Sequence, residues 1–103
     1  MTVSIARTAA VITLFSIPAG PVHATGLYTC DSGDRSGWKS TGELEQKMTS
    51  EGWKVRRIKE DGGCYEAYGT TPEGQRVEAY YHPVTLELLL IARRGQILFR
   101  KQD

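Results

Sequence analysis

The sequence predicts an α+β domain in which one helix packs on an antiparallel sheet of four or five strands. Three observations carry that prediction. A capped segment with helical spacing of its apolar residues runs from Ser40 to about Glu51, and from Trp53 onward the apolar period drops to two. Turn-forming clusters then recur at short intervals, at Asp61-Gly62-Gly63, Thr71-Pro72-Glu73-Gly74 and Arg93-Arg94-Gly95.

The helix begins at a capping box. In Ser40-Thr41-Gly42-Glu43 the serine hydroxyl is placed to accept from the Glu43 backbone N–H, and the glutamate to reach back. Leu44, Met48 and the methylenes of Lys47 form its buried stripe, and Gly52 is its left-handed stop. Gly42 in the first turn costs about 1 kcal/mol relative to Ala. The helix is therefore short and depends on packing.

In the first strand Trp53, Val55 and Ile58 are the apolar residues, and strict alternation would send Ile58 to the wrong face. A bulge near Arg56 and Arg57 restores it to the core side. The second strand, Cys64 to about Thr70, turns Tyr65 and Ala67 one way and Glu66 and Tyr68 the other. Gln75 to Tyr81 sets Val77, Ala79 and Tyr81 against Arg76, Glu78 and Tyr80. His82-Pro83-Val84-Thr85 ends that strand, because proline cannot donate to a ladder. Leu86 to Ala92 reads as a fourth strand covered on both faces, with a short helix as the alternative. Ile97-Leu98-Phe99 reads as a fifth.

Ahead of the domain, Arg7, the apolar run Ala9 to Ile17 and the breakers Pro18, Gly20 and Pro21 lead to Val22-His23-Ala24. That order is the pattern of an export signal over residues 1–24, cleaved between Ala24 and Thr25. The apolar run is under half of the roughly 20 residues a membrane span needs. The expected mature chain is a soluble, periplasmic or secreted domain at 38–103, preceded by an irregular arm at 25–37 that is held only at Cys30. In such a compartment Cys30 and Cys64 pair as a disulfide, stabilising a small domain by roughly 3 to 4 kcal/mol through chain entropy. A CxxC redox site and a zinc site both lack the required spacing or ligands.

Loss of Arg7 with the leader brings basic and acidic side chains level at 12 each, which argues against nucleic acid as the partner. Lys54, Arg56, Arg57 and Lys59 form a dense basic patch that reads first as the solvated face of an edge strand. His82 has no nucleophile beside it and reads as a turn residue. Glu66 and Glu78, on neighbouring strands, are expected to face outward toward Arg76 and Lys54. Tyr68 and Tyr80 share the face opposite the core and are expected to form an exposed pair, which with Arg56 and Arg57 is the candidate binding surface. An open sheet edge is a second one. No phosphate-cradling loop is present.

The runs EGWKVRRI at 51–58, GCYEAY at 63–68, GQRVEAY at 74–80 and PVTLE at 83–87 together resemble the small exported PepSY-domain proteins of bacteria. The resemblance covers roughly residues 38 to 88. It departs from the pattern at Leu86, where glycine is common, and does not reach the segment from Ile91 to Asp103. It implies a helix on an antiparallel sheet, a location outside the cytoplasm, and a role like that of propeptides that restrain thermolysin-like metallopeptidases. No catalytic, cofactor or metal residue comes with it. The expected function is a non-enzymatic binding module that modulates a peptidase or another envelope protein. The alternative is a disulfide-bearing accessory to membrane electron transfer.

Overall fold

The computed structural model describes residues 26–102, so the expected leader and the pair Ala24 and Thr25 lie outside it. Helix α1 (Thr41–Ser50) is followed by five strands: β1 (Lys54–Asp61), β2 (Cys64–Thr70), β3 (Arg76–Tyr81), β4 (Leu88–Arg93) and β5 (Gln96–Arg100). They form one open antiparallel meander in the order β1-β2-β3-β4-β5. The α+β class is as predicted, with five strands.

The Ser40 hydroxyl caps α1, accepting from the Glu43 N–H at 3.0 Å, and Gly52 follows the helix at φ 98°. Leu44 and Met48 are fully buried against Tyr65, Ala67, Val77, Ala79 and Tyr81. Burying each contributes roughly 1.5 to 3 kcal/mol, which outweighs the cost of Gly42. Lys47 stays near the surface and pairs with Glu51 at 2.9 Å.

The register of β1 against β2 shifts between Val55 and Arg57, so the bulge falls at Arg56. Val55 then opposes Gly69 and Ile58 opposes Ala67, which keeps both apolar residues on the helix side, as expected. The bulge also explains Gly69. A Cβ there would lie 2.5 Å from the Lys54 carbonyl oxygen.

The second face of the sheet carries a core of its own. Cys64, Tyr80, Leu90 and Ala92 are buried there together with Leu89 and Cys30, with Leu27 and Tyr28 packed over them. The covering layer is the N-terminal arm, which is fixed at several points and not at Cys30 alone. The Gly26 N–H donates to Asp61 Oδ2 at 3.1 Å, the Leu27 N–H to the Tyr80 hydroxyl at 3.4 Å, and the Cys30 N–H to the Gly62 carbonyl at 2.8 Å. His82 adds another tie. Its Nδ1 accepts from the Val84 N–H, so Nε2–H donates to the Asp31 carbonyl at 3.1 Å. Gly63 makes room for this layer: at φ 81°, a Cβ on it would lie 2.7 Å from the Cys30 carbonyl oxygen.

Past a 3-10 turn at Arg35–Gly37 the arm reaches the helix side. Arg35 grips both carboxylate oxygens of Glu60 at 2.6 and 2.7 Å and lies 4.5 Å over Trp38, whose ring meets Tyr65 edge-on at 5.6 Å. The hydrogen bond from Arg35 holds the Glu60 carboxyl below its usual range.

The fourth strand starts at Leu88, two residues later than the sequence suggests, and is not helical. Leu86 adopts φ 62° and buries its side chain in the helix-side core. A left-handed residue other than glycine costs about 1 to 2 kcal/mol, and burying a leucine offsets that by a similar amount. Apolar character at Leu86 thus signals a core-filling turn.

The predicted disulfide is present. Cys30 and Cys64 are 34 residues apart, with Cα atoms 5.1 Å from each other and Cys64 fully buried. Replacing both (Cys30→Ser with Cys64→Ser) is expected to lower the thermal midpoint by more than about 10 °C, followed by circular dichroism. A fall of under about 3 °C would show that the arm's hydrogen bonds hold it unaided.

Candidate functional site

Among the described residues the arm covers one end of the second face. At the other end, Tyr68 of β2 and Glu78 of β3 stand in register, and Glu78 stands in register with Ala92 of β4. A cavity of about 340 Å³ opens there, rimmed by Arg56, Arg76, Arg93 and Arg94. Each arginine comes from a defined place: Arg56 from the β1 bulge, Arg76 from the first position of β3, Arg93 from the last position of β4 and Arg94 from the turn that follows it. All four are exposed, and none forms an ion pair among the described residues.

Beneath this rim lie two carboxyl groups. Glu66 is fully buried and shares a hydrogen bond with Glu78, which corrects the expectation that both face outward toward Arg76 and Lys54. Alternation assigned the face correctly, but Glu66 is covered on that face. Burial first, and then the bond with Glu78, pushes the Glu66 carboxyl up to about 7, against a lowering by its bond with Tyr68. The same burial and the Glu66 charge push the Tyr68 hydroxyl up to about 12. The Tyr68 ring is covered by Arg57, 4.9 Å from its centroid, and by Lys59 at 5.4 Å.

The candidate surface residues therefore separate. Arg56 belongs to the cavity rim, Arg57 stacks on Tyr68, and Tyr68 is half-buried. Tyr80 is completely buried, its hydroxyl donating to Asp61 Oδ2 at 2.6 Å beneath the arm. An exposed Tyr68–Tyr80 pair does not form, because the arm lies over one partner and not the other. Arg76, Arg93 and Arg94 were not singled out by sequence, although a signal existed. In a meander the turns alternate ends, so the turn before Arg76 and the turn at Arg94 lie at the same end.

The sheet edges are unequal. β1 is charged and bulged, whereas β5 exposes Ile97, Leu98 and Phe99, each about 40% accessible. Among the described residues no cluster of three or more His, Cys, Asp or Glu is placed to hold a metal, and no helix is long and apolar enough to cross a membrane.

Glu66 makes stability depend on pH in a definite direction. Its pKa is raised on folding, so its favourable contribution is complete below the ordinary value near 4.5 and is lost as pH rises through about 7. Glu60, lowered on folding, acts in the opposite sense and at more acid pH. The thermal midpoint is expected to fall between pH 5 and 8, and Glu66→Gln to remove most of that slope, raising the midpoint at pH 8 by roughly 5 °C. An unchanged slope in Glu66→Gln would assign the dependence to other groups.

The family model described as the peptidase propeptide and YPEB domain matches residues 8–91 of the 103-residue chain. The match takes in the arm and ends within β4, so β5 lies beyond it. No curated protein and no solved structure matches the chain. Domains of this family are in general non-catalytic, propeptide-like or inhibitor-like modules that act through contact with other proteins, typically outside the cytoplasm. On the extent of that match, the chain belongs to the PepSY family of peptidase propeptide and YPEB domains.

Proposed function

We propose that this protein is an exported, non-enzymatic binding module that restrains or modulates a peptidase or another envelope protein, using β5 as its docking strand. The observation that carries this reading is the family match over residues 8–91. Two features support it. The Cys30–Cys64 bridge suits an oxidising compartment. Among the described residues no strand pairs with the outer side of β5, and its central side chains, Ile97, Leu98 and Phe99, are apolar and exposed.

An extended segment of the partner adds to β5 through main-chain hydrogen bonds, and Ile97, Leu98 and Phe99 supply apolar contact on alternate sides. A peptidase is a suitable partner for this geometry, because its substrate cleft itself handles extended chain. β1 is a poor competitor for the same strand. Its lysines, arginines and bulge discourage edge pairing. The bridge sulfurs are buried, which favours a structural role over thiol exchange and leaves the electron-transfer alternative without a specific observation in its favour.

The test uses residues 25–103 against a panel of purified metallo-, serine and cysteine peptidases. Saturable inhibition of at least one is expected at micromolar concentration. Leu98→Lys with Phe99→Lys should weaken that inhibition by about tenfold or more, since two apolar anchors at a strand interface are lost, while the thermal midpoint moves by under about 3 °C. Absence of inhibition across the panel would refute peptidase restraint. Equal inhibition by the double variant would remove β5 from the contact.

A further inference from the structure

Four arginines face one cavity at the open end of the sheet without an ion pair among the described residues. Concentrating like charge is unfavourable to the folded chain on its own, so the arrangement points to an anion supplied from outside. The cavity, at about 340 Å³, is within the size range of ligand sites. Glu78 in its wall offsets only part of the charge.

The placement of the arginines selects among anions. They arise from β1, β3 and the end of β4, and neighbouring strands are about 4.8 Å apart, so their backbones span about 14 Å. A single phosphate is too small to engage groups so spread. Carboxylates at alternate positions of an extended chain recur about every 7 Å, so two such intervals cover the spread. Nucleic acid fits poorly, because the chain as a whole carries a net charge of only +1, and the Tyr68 ring, which a base would stack on, is already covered by Arg57 and Lys59.

We propose that the cavity rimmed by Arg56, Arg76, Arg93 and Arg94 is a recognition site for an acidic peptide segment of the protein partner, with carboxylates at alternate positions. The proposal rests on the reading of this chain as a binding module and names the chemistry of what it binds. Arg93 ends β4 and Arg94 begins the turn into β5, so a strand laid on β5 runs toward the cavity end of the sheet. The arginine forks bind the carboxylates by charge-assisted hydrogen bonds, and Thr70 in the cavity wall offers a hydroxyl to the backbone.

The experiment measures fluorescence anisotropy of a labelled eight-residue peptide of alternating Glu and Gly, with a Gln-for-Glu peptide as control. Micromolar binding that weakens with added salt is expected, with the control at least tenfold weaker. Arg76→Ala with Arg94→Ala should weaken binding by about tenfold or more, as should Arg56→Ala with Arg93→Ala. All four side chains are exposed, so the variants retain the fold, checked by thermal midpoint. Equal binding of the Gln peptide, or unchanged binding by both arginine variants, would overturn the proposal. So would displacement by inorganic phosphate at the concentrations at which unlabelled peptide displaces, which would assign the cavity to a small anion, or tighter binding of a single-stranded oligonucleotide. Peptide binding without inhibition of any peptidase would sink the proposed function and leave this site standing. Inhibition without peptide binding would do the reverse.

Discussion

A meander of five strands has two faces, and among the described residues one α-helix covers only the first of them. The second face is closed by the N-terminal arm, drawn down by the bond from Cys30 to Cys64. Much else follows from that one attachment. Tyr80 is buried with its hydroxyl on Asp61, Gly63 must lack a side chain, and His82 becomes a tether to the Asp31 carbonyl. The described part of the arm also covers one end of that face and not the other. Having crossed the end that bears the β1–β2 turn, it passes to the helix side at Arg35 and Trp38 and leaves the opposite end open.

The open end is where polar chemistry collects. A carboxyl group as buried as Glu66 would be costly as an unaccompanied anion, and the fold meets that cost by keeping it protonated up to about pH 7 and bonding it to Glu78 and Tyr68. Tyr68 is in turn roofed by Arg57 and Lys59. Cations that lie close to this cluster are thereby occupied internally, whereas the arginines farther out at the rim are not. Two populations of basic side chain emerge from what reads in sequence as a single patch. Arg57 and Lys59 serve the sheet, and Arg56 joins the rim only because the bulge takes it out of alternation.

Much of the architecture was legible in the residues. Ser40 as cap, Leu44 and Met48 as buried stripe, Gly52 as stop, the bulge at Arg56 and each turn of the meander follow from local rules that packing did not override. Period-two alternation states which face a side chain occupies and is silent on whether that face is covered. Glu66 and Tyr80 were misjudged for that reason. The missing step was available: Cys64 lies on the same face as Glu66, two residues on, so its partner Cys30 and the flanking chain had to lie over that face as well. The cavity was harder to see, since its arginines are scattered over forty residues and meet only through the alternation of turn ends.

β5 alters what the sheet presents. The family match ends within β4, and a sheet ending there would leave Leu89 and Leu90 at its margin, both of which are buried in this chain. β5 covers that margin and replaces it with Ile97, Leu98 and Phe99, which remain exposed. Arg94 at φ 53° and Gly95 at φ 81° make the tight turn that permits this return, and the β4–β5 hairpin supplies two of the four rim arginines, Arg93 and Arg94. The apolar edge and half of the basic rim are thus parts of one hairpin. A short loop fixes their spacing, so under the proposed docking a partner segment on β5 would meet the arginines at a set distance along its own chain. On the proposed mode of binding, specificity would come from the coincidence of an extended apolar stretch with acidic residues just beyond it, a combination more selective than either feature alone.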